Sequence, residues 1–159
     1  MKKNGFAILE IVVSIAVSAM LLVSFMTLAI QTKKVGRTYT SELQAQLYLA
    51  EIIESAKDLE KSNWNEIADG SCGSPAICRP EISAGLWIFE TGSEALDNGT
   101  FTRSLSVFEV QRNTLTFPNE IVESGGVVDP DTKKIIGAIY WNDGYNDRVL
   151  NLETYVYKP

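Results

Sequence analysis

Residues 11–30 of this 159-residue chain carry no charge at all, and that run constrains the fold more than anything that follows it. About 20 apolar residues in a helix rising ~1.5 Å each match a hydrocarbon core of ~30 Å. A membrane-spanning helix is therefore predicted here. The apolar block begins earlier, at Phe6, and it encloses one acid, Glu10. A charge at the centre of a spanning helix costs about 2.5–3.5 kcal/mol on insertion scales, so a carboxylate in such a block is expected to have a partner or a task.

Two processing schemes compete for this N-terminus. A secretory signal peptide has about 7–15 apolar residues and then a small-x-small cleavage site. Here the run is longer, and Gln31-Thr32-Lys33-Lys34 follows it without such a site. The second scheme cuts ahead of the run, after the small Gly5, and removes a basic leader, residues 1–5. In its Lys2-Lys3-Asn4-Gly5-Phe6 sequence followed by Glu10, the chain resembles type IV pilins and the pseudopilins of type II secretion.

That resemblance implies cleavage between Gly5 and Phe6 by a prepilin peptidase, N-methylation of Phe6, and retention of Glu10 as the assembly carboxylate. In the water-poor core of a filament an unpaired carboxylate is costly, and an opposite charge is the natural remedy. The Phe6 amine of a neighbouring subunit would supply it as an assembly salt bridge. The resemblance also implies single-pass storage in the inner membrane with an extracytoplasmic C-terminal domain, followed by assembly into a filament at the cell surface. Its partners would be other pilin or pseudopilin subunits and the pilus assembly platform. Many major pilins carry a proline in the apolar segment, whereas the first proline here is Pro75, which points toward a minor pilin or pseudopilin. Lys2 and Lys3 precede the span and Lys33, Lys34 and Arg37 follow it, so the positive-inside rule is balanced and orientation rests on the resemblance. The competing class is a single-span membrane-anchored surface protein, with Glu10 near the headgroups and an extracytoplasmic β domain that binds a ligand.

Helical character continues past the span. Residues 38–61 contain neither Gly nor Pro. Leu43, Leu47, Ala50 and Ile53 recur at three- and four-residue steps, with Leu49, Ile52, Ala56 and Leu59 on a flanking face. Glu42, Glu51, Glu54, Lys57, Asp58, Glu60 and Lys61 supply the polar side. A helix continuous over residues 6–61 would extend about 84 Å, with Gly36 as its one expected flexible point. Ser62-Asn63 ends it.

Strand-like segments follow at residues 86–89, 101–110, 134–141 and 148–157, with turns expected at Asn98-Gly99 and at Asn142-Asp143-Gly144, the second closing a hairpin. The last segment sets Leu150, Leu152, Thr154 and Val156 on one face and Asn151, Glu153, Tyr155 and Tyr157 on the other. The fold class expected is α+β: a long N-terminal helix, spanning in its first half and amphipathic in its second, packed on a small antiparallel sheet. Four segments result: leader 1–5, spanning helix 6–30, amphipathic helix 31–61 and β domain 62–159.

Cys72 and Cys78 are the only cysteines and lie in a loop dense in turn formers. In an exported domain they read as a disulfide; in a reducing compartment they would remain thiols. With no histidine in the chain, Ser-His-Asp and Cys-His arrangements are excluded, and two thiolates make only half a tetrahedral zinc site. No phosphate-binding glycine loop is present. The expectation is a protein without enzymatic activity or cofactor. A net charge of −6, two units more negative once Lys2 and Lys3 leave with the leader, argues against nucleic acid as a partner by bulk charge. Asp129, Asp131, Asp143 and Asp147, with Asn142, flank the final hairpin and form a calcium candidate, since this hard cation favours carboxylate and carbonyl oxygens. Asp-Pro-Asp and Asn-Asp-Gly are also ordinary turn sequences. Asn98-Gly99-Thr100 fits both a glycosylation acceptor and a turn.

Overall fold

The computed structural model describes residues 4–68, 72, 76–113, 115 and 120–159, with side chains from residue 8 onward. The chain is α+β. One helix, α1 (Asn4–Ser62), is followed by a short α2 (Trp64–Ala68) and by strands β1 (Cys78–Ser83), β2 (Leu86–Thr91), β3 (Glu94–Leu96), β4 (Phe101–Arg112), β5 (Ile121–Val122), β6 (Val127–Asn142) and β7 (Asp147–Tyr157). Two compact units divide the chain, Met1–Ser41 and Glu42–Pro159. Their boundary falls within the segment 31–61 that periodicity sets apart as one amphipathic helix.

In the first unit α1 presents its apolar side chains outward: Ile8, Met20, Phe25 and Ile30 are each about two-thirds exposed. The helix is long and apolar enough to cross a membrane. Most of its hydroxyls are satisfied without solvent. Ser14, Ser24, Thr27 and Thr32 each donate to the carbonyl four residues back at 2.8–2.9 Å, which hydrocarbon, offering no acceptor, requires. Gly36 does not interrupt the helix.

In the second unit the remainder of α1 lies on one face of a seven-stranded antiparallel sheet of order β2-β1-β4-β6-β7, with β3 and β5 both paired to β4. The packed helical face is Ala45, Leu49, Ile52, Ala56 and Leu59, all buried. Leu43 and Leu47, on the stripe that periodicity singles out, are 49% and 63% exposed instead. Both stripes are apolar, so hydrophobicity does not choose between them. The small residues do: Ala45 and Ala56 let the helix approach the sheet, and Gly137 of β6 lies beneath it. A Cβ at Gly137 would come within 3.1 Å of Leu49 Cδ1 and 3.2 Å of Ile52. Phe101, Leu105 and Val107 of β4, Ile135, Ile139 and Trp141 of β6, Phe89 of β2 and Val156 of β7 complete the core. Each large side chain buried there contributes roughly 1.5–3 kcal/mol.

Strands β1, β3 and β5 and helix α2 are additions to the sequence expectation. Strand β1 holds Pro80 yet pairs with β2 along six residues, meeting β4 only at Cys78↔Leu105; Pro80, with no N–H to donate, thus stays out of a two-sided ladder. Its hairpin to β2 turns on Ala84-Gly85, both at positive φ (52° and 81°), the geometry of a two-residue primed turn. Strand β6 begins at Val127 rather than at residue 134, because a bulge lets it continue. Val110 pairs with Asp129 and Glu109 with Lys133, leaving residues 130–132, Pro130 among them, outside the β4 ladder.

Candidate functional site

Glu10 is exposed on α1 and, among the described residues, its carboxylate makes no hydrogen bond or ion pair. Ser14, one turn on, donates to the Glu10 carbonyl at 2.8 Å, so the nearest hydroxyl is committed to the backbone. The chain thus carries an acid without a described partner inside an apolar helix, a group whose ionised form hydrocarbon disfavours and a cation would stabilise. Gly5 and Phe6 lie within α1, and their side chains fall outside the described residues. The leader residues 1–3 lie outside them altogether.

The disulfide is present: Cys72 and Cys78 are joined at 2.04 Å. Both are buried, at 1% and 0% exposure. The Cys72 carbonyl accepts from Val107 N–H at 3.1 Å, so Cys72 is fastened both to β1 through the bridge and to β4, and the bridge takes part in the core.

The four aspartates of the calcium grouping do not converge. Asp129 and Asp131 lie near the start of β6, Asp143 and Asp147 beyond its far end. Asp129 pairs with Arg112 at 2.5 Å and accepts from Thr132 Oγ1 at 2.7 Å and from Asp131 N–H at 3.0 Å. Asp143 accepts from Tyr145 and Asn146 N–H at 2.9 and 2.8 Å and pairs with Arg148 at 2.9 Å. Asp147 accepts from Asn142 Nδ2, and Asp131 faces Lys158 at 3.7 Å. Among the described residues no group of three His, Cys, Asp or Glu side chains comes together. These carboxylates instead close the β6–β7 turn and pin the β6 bulge.

Their electrostatics carry a pH signature. The Thr132 hydroxyl and then Arg112 hold the Asp129 carboxyl below its ordinary value, and the Asn146 amide, Arg148 and the Tyr145 amide do the same for Asp143. A carboxyl lowered in the folded state contributes stability that is present above its unfolded value, near about pH 4, and is lost as pH falls through the lower folded one. The urea midpoint of the full chain in detergent should therefore hold steady from neutral pH down to about pH 5 and fall below about pH 4, and Asp143→Asn should flatten that fall. An unaltered pH profile in the variant would remove Asp143 from the account.

Two further features went unread in the sequence. Arg103 of β4 is 4% exposed on the helix-facing side. It lies 2.8 Å from Glu51 of α1 through Nη1, a contact too bent for a hydrogen bond, and hydrogen-bonds Glu94 of β3 through Nε at 3.0 Å. This ties helix to sheet at the price of a buried guanidinium. Nearby, the Tyr48 hydroxyl donates to Asp97 at 2.6 Å, which holds its proton more tightly than usual. That bond steadies the turn Asp97–Gly99, where Asp97 and Asn98 both sit at positive φ. On the sheet face away from α1, Phe108, Ile121, Lys134, Ile136 and Tyr155 line a groove of about 390 Å³. Comparison with family models, curated proteins and solved structures finds no match to this chain.

Proposed function

We propose that the chain is a structural filament subunit of the pilin type, a minor pilin or pseudopilin, rather than an enzyme. It would be stored in the inner membrane through α1 with the β unit outside, cleaved between Gly5 and Phe6 by a prepilin peptidase, methylated at Phe6, and drawn by an assembly platform into a filament of related subunits. The observation that carries this reading is Glu10: one carboxylate, without a partner among the described residues, on an exposed apolar helix that runs on into the α+β unit. A plain anchor gains nothing from such an acid. A filament core, in which the Phe6 amine of a neighbour answers it, gains axial register from it. The disulfide in the β unit agrees with export to an oxidising compartment.

In a host with a prepilin peptidase and an assembly ATPase, the protein should appear in the sheared surface fraction, and deleting either gene should leave it wholly in the membrane. Equal amounts in the sheared fraction after deletion would contradict the proposal. The groove beneath Phe108 and Tyr155 favours a second reading, a membrane-anchored protein whose β unit binds a ligand. That reading expects membrane retention in every strain.

A further inference from the structure

Strand β7 closes one side of the sheet and, among the described residues, has no strand beyond it. Its eleven residues pair with β6 in unbroken register. Sheet edges are ordinarily protected by shortness, lysine, proline or a bulge. The opposite edge, β2, is short at six residues. Strand β7 is long, has no Lys, Pro or Gly, and is rich in the β-branched, aliphatic and aromatic residues that favour strands.

Alternation of the antiparallel ladder identifies which backbone groups are open. Lys158 N–H donates to Asp131 O and Asp143 N–H to Asn146 O, so even-numbered residues of β7 direct their N–H and C=O toward β6 and odd-numbered ones direct theirs outward. Tyr157 confirms the parity: its N–H is taken by the Glu60 carboxylate of α1 at 3.1 Å. Cover is thinner away from Glu60: Val156 is fully buried, whereas Leu152, on the same face, is 44% exposed. The outward N–H and C=O groups of Val149, Asn151, Glu153 and Tyr155 are left as an open ladder. Only another extended strand offers complementary donors and acceptors at that spacing.

We propose that the β7 edge is a strand-addition site, taking an extended segment of a partner polypeptide against Val149–Tyr155. Its helix-side residues would be apolar, covering Leu150 and Leu152. Residues 42–62 of α1 run in the direction of β7, from Tyr48 near Phe101 to Glu60 at Tyr157, so a second copy pairing β7 antiparallel with β7 would set these helical segments antiparallel; that occupant is an outcome of the test. The proposal goes beyond the filament reading and does not depend on how the N-terminus is processed.

The test uses the full chain in detergent and a short synthetic peptide of alternating valine and threonine with lysine at each end. Amide exchange should be fast at Val149, Asn151, Glu153 and Tyr155 and slow at the even positions between them. Peptide at about 1 mM should slow the four open amides about tenfold or more. The same peptide N-methylated on its pairing edge should leave them fast. Asn151→Pro and Glu153→Pro each delete an outward N–H and no β6–β7 bond, and should abolish the protection. Unchanged exchange at the four amides, or equal protection by the N-methylated peptide, would overturn the proposal. Protection that rises with protein concentration alone would also overturn it, by making a second copy the occupant.

Discussion

Glu10→Gln protein should reach the membrane and be cleaved as efficiently as the wild type, yet be reduced about tenfold or more in sheared filaments. The substitution keeps the side-chain shape and removes the charge. Insertion should be easier if anything, because a carboxylate in hydrocarbon is unfavourable. Assembly should suffer, because the proposed partner, the Phe6 amine of the neighbouring subunit, would be left as an unanswered charge in a water-poor core. Breaking a buried pair from one side costs about 3–5 kcal/mol, more than enough for a tenfold loss. Moving the acid one turn along the helix should not restore assembly, since it shifts the register by about 5.4 Å. If Glu10→Gln protein enters filaments as well as the wild type, Glu10 is not a register device and the anchored ligand-binding protein becomes the better account.

The second large effect concerns the helix–sheet contact. Gly137→Leu should lower the stability of the folded β unit by about 3 kcal/mol, or about 10 °C in Tm, because overpacking a close contact forces side chains off their rotamers or the helix off the sheet. Gly137 lies where a Cβ alone would already press on Leu49 and Ile52 at 3.1–3.2 Å. Gly137→Ala should be milder, at about 1 kcal/mol, since the ends of Leu49 and Ile52 can yield by a few tenths of an ångström. Gly36→Ala, on the same helix with nothing within 4 Å of the added atom, is the control and should be neutral or slightly stabilising, as alanine is the better helix former. Thermal melts by circular dichroism would read all three. A Gly137→Leu chain melting with the wild type would show that α1 does not press on β6 at this point.

The contrast between these two sites shows what the chain discloses before it folds. The long apolar helix is legible because charge exclusion over twenty residues has few physical explanations, and the long strands β4, β6 and β7 because alternation persists along them. The face by which α1 packs is not legible. Leu43-Leu47 and Leu49-Ile52 are equally apolar, and the choice is made by Gly137, distant in sequence. Short strands β3 and β5 hold too few residues for a period to show, and β1 hides behind Arg79, Pro80 and Glu81. The Ala84-Gly85 hairpin escapes because alanine is not a usual residue for a left-handed position.

At the candidate sites the same division holds. Cys72 and Cys78 read as a bridge because two cysteines close in sequence, in a chain without histidine, have few other roles in a domain that is exported. The aspartates around β6 are ambiguous in sequence, since Asp-Pro-Asp and Asn-Asp-Gly suit a cation loop or an ordinary turn, and in the fold Arg112 and Arg148 answer Asp129 and Asp143. Arg112 stands seventeen residues from Asp129, and both pairings depend on the bulge and the hairpin turn. Arg103 has a weak signal, a lone cation at an inward position of the alternating strand β4.

The central claim, that this is a processed filament subunit, is tested most directly by the intact mass of the chain purified from its native membrane. The account predicts a polypeptide beginning at Phe6, with residues 1–5 gone and one methyl group added to the new N-terminus. A chain still beginning at Met1, in cells whose prepilin peptidase is active, would contradict it.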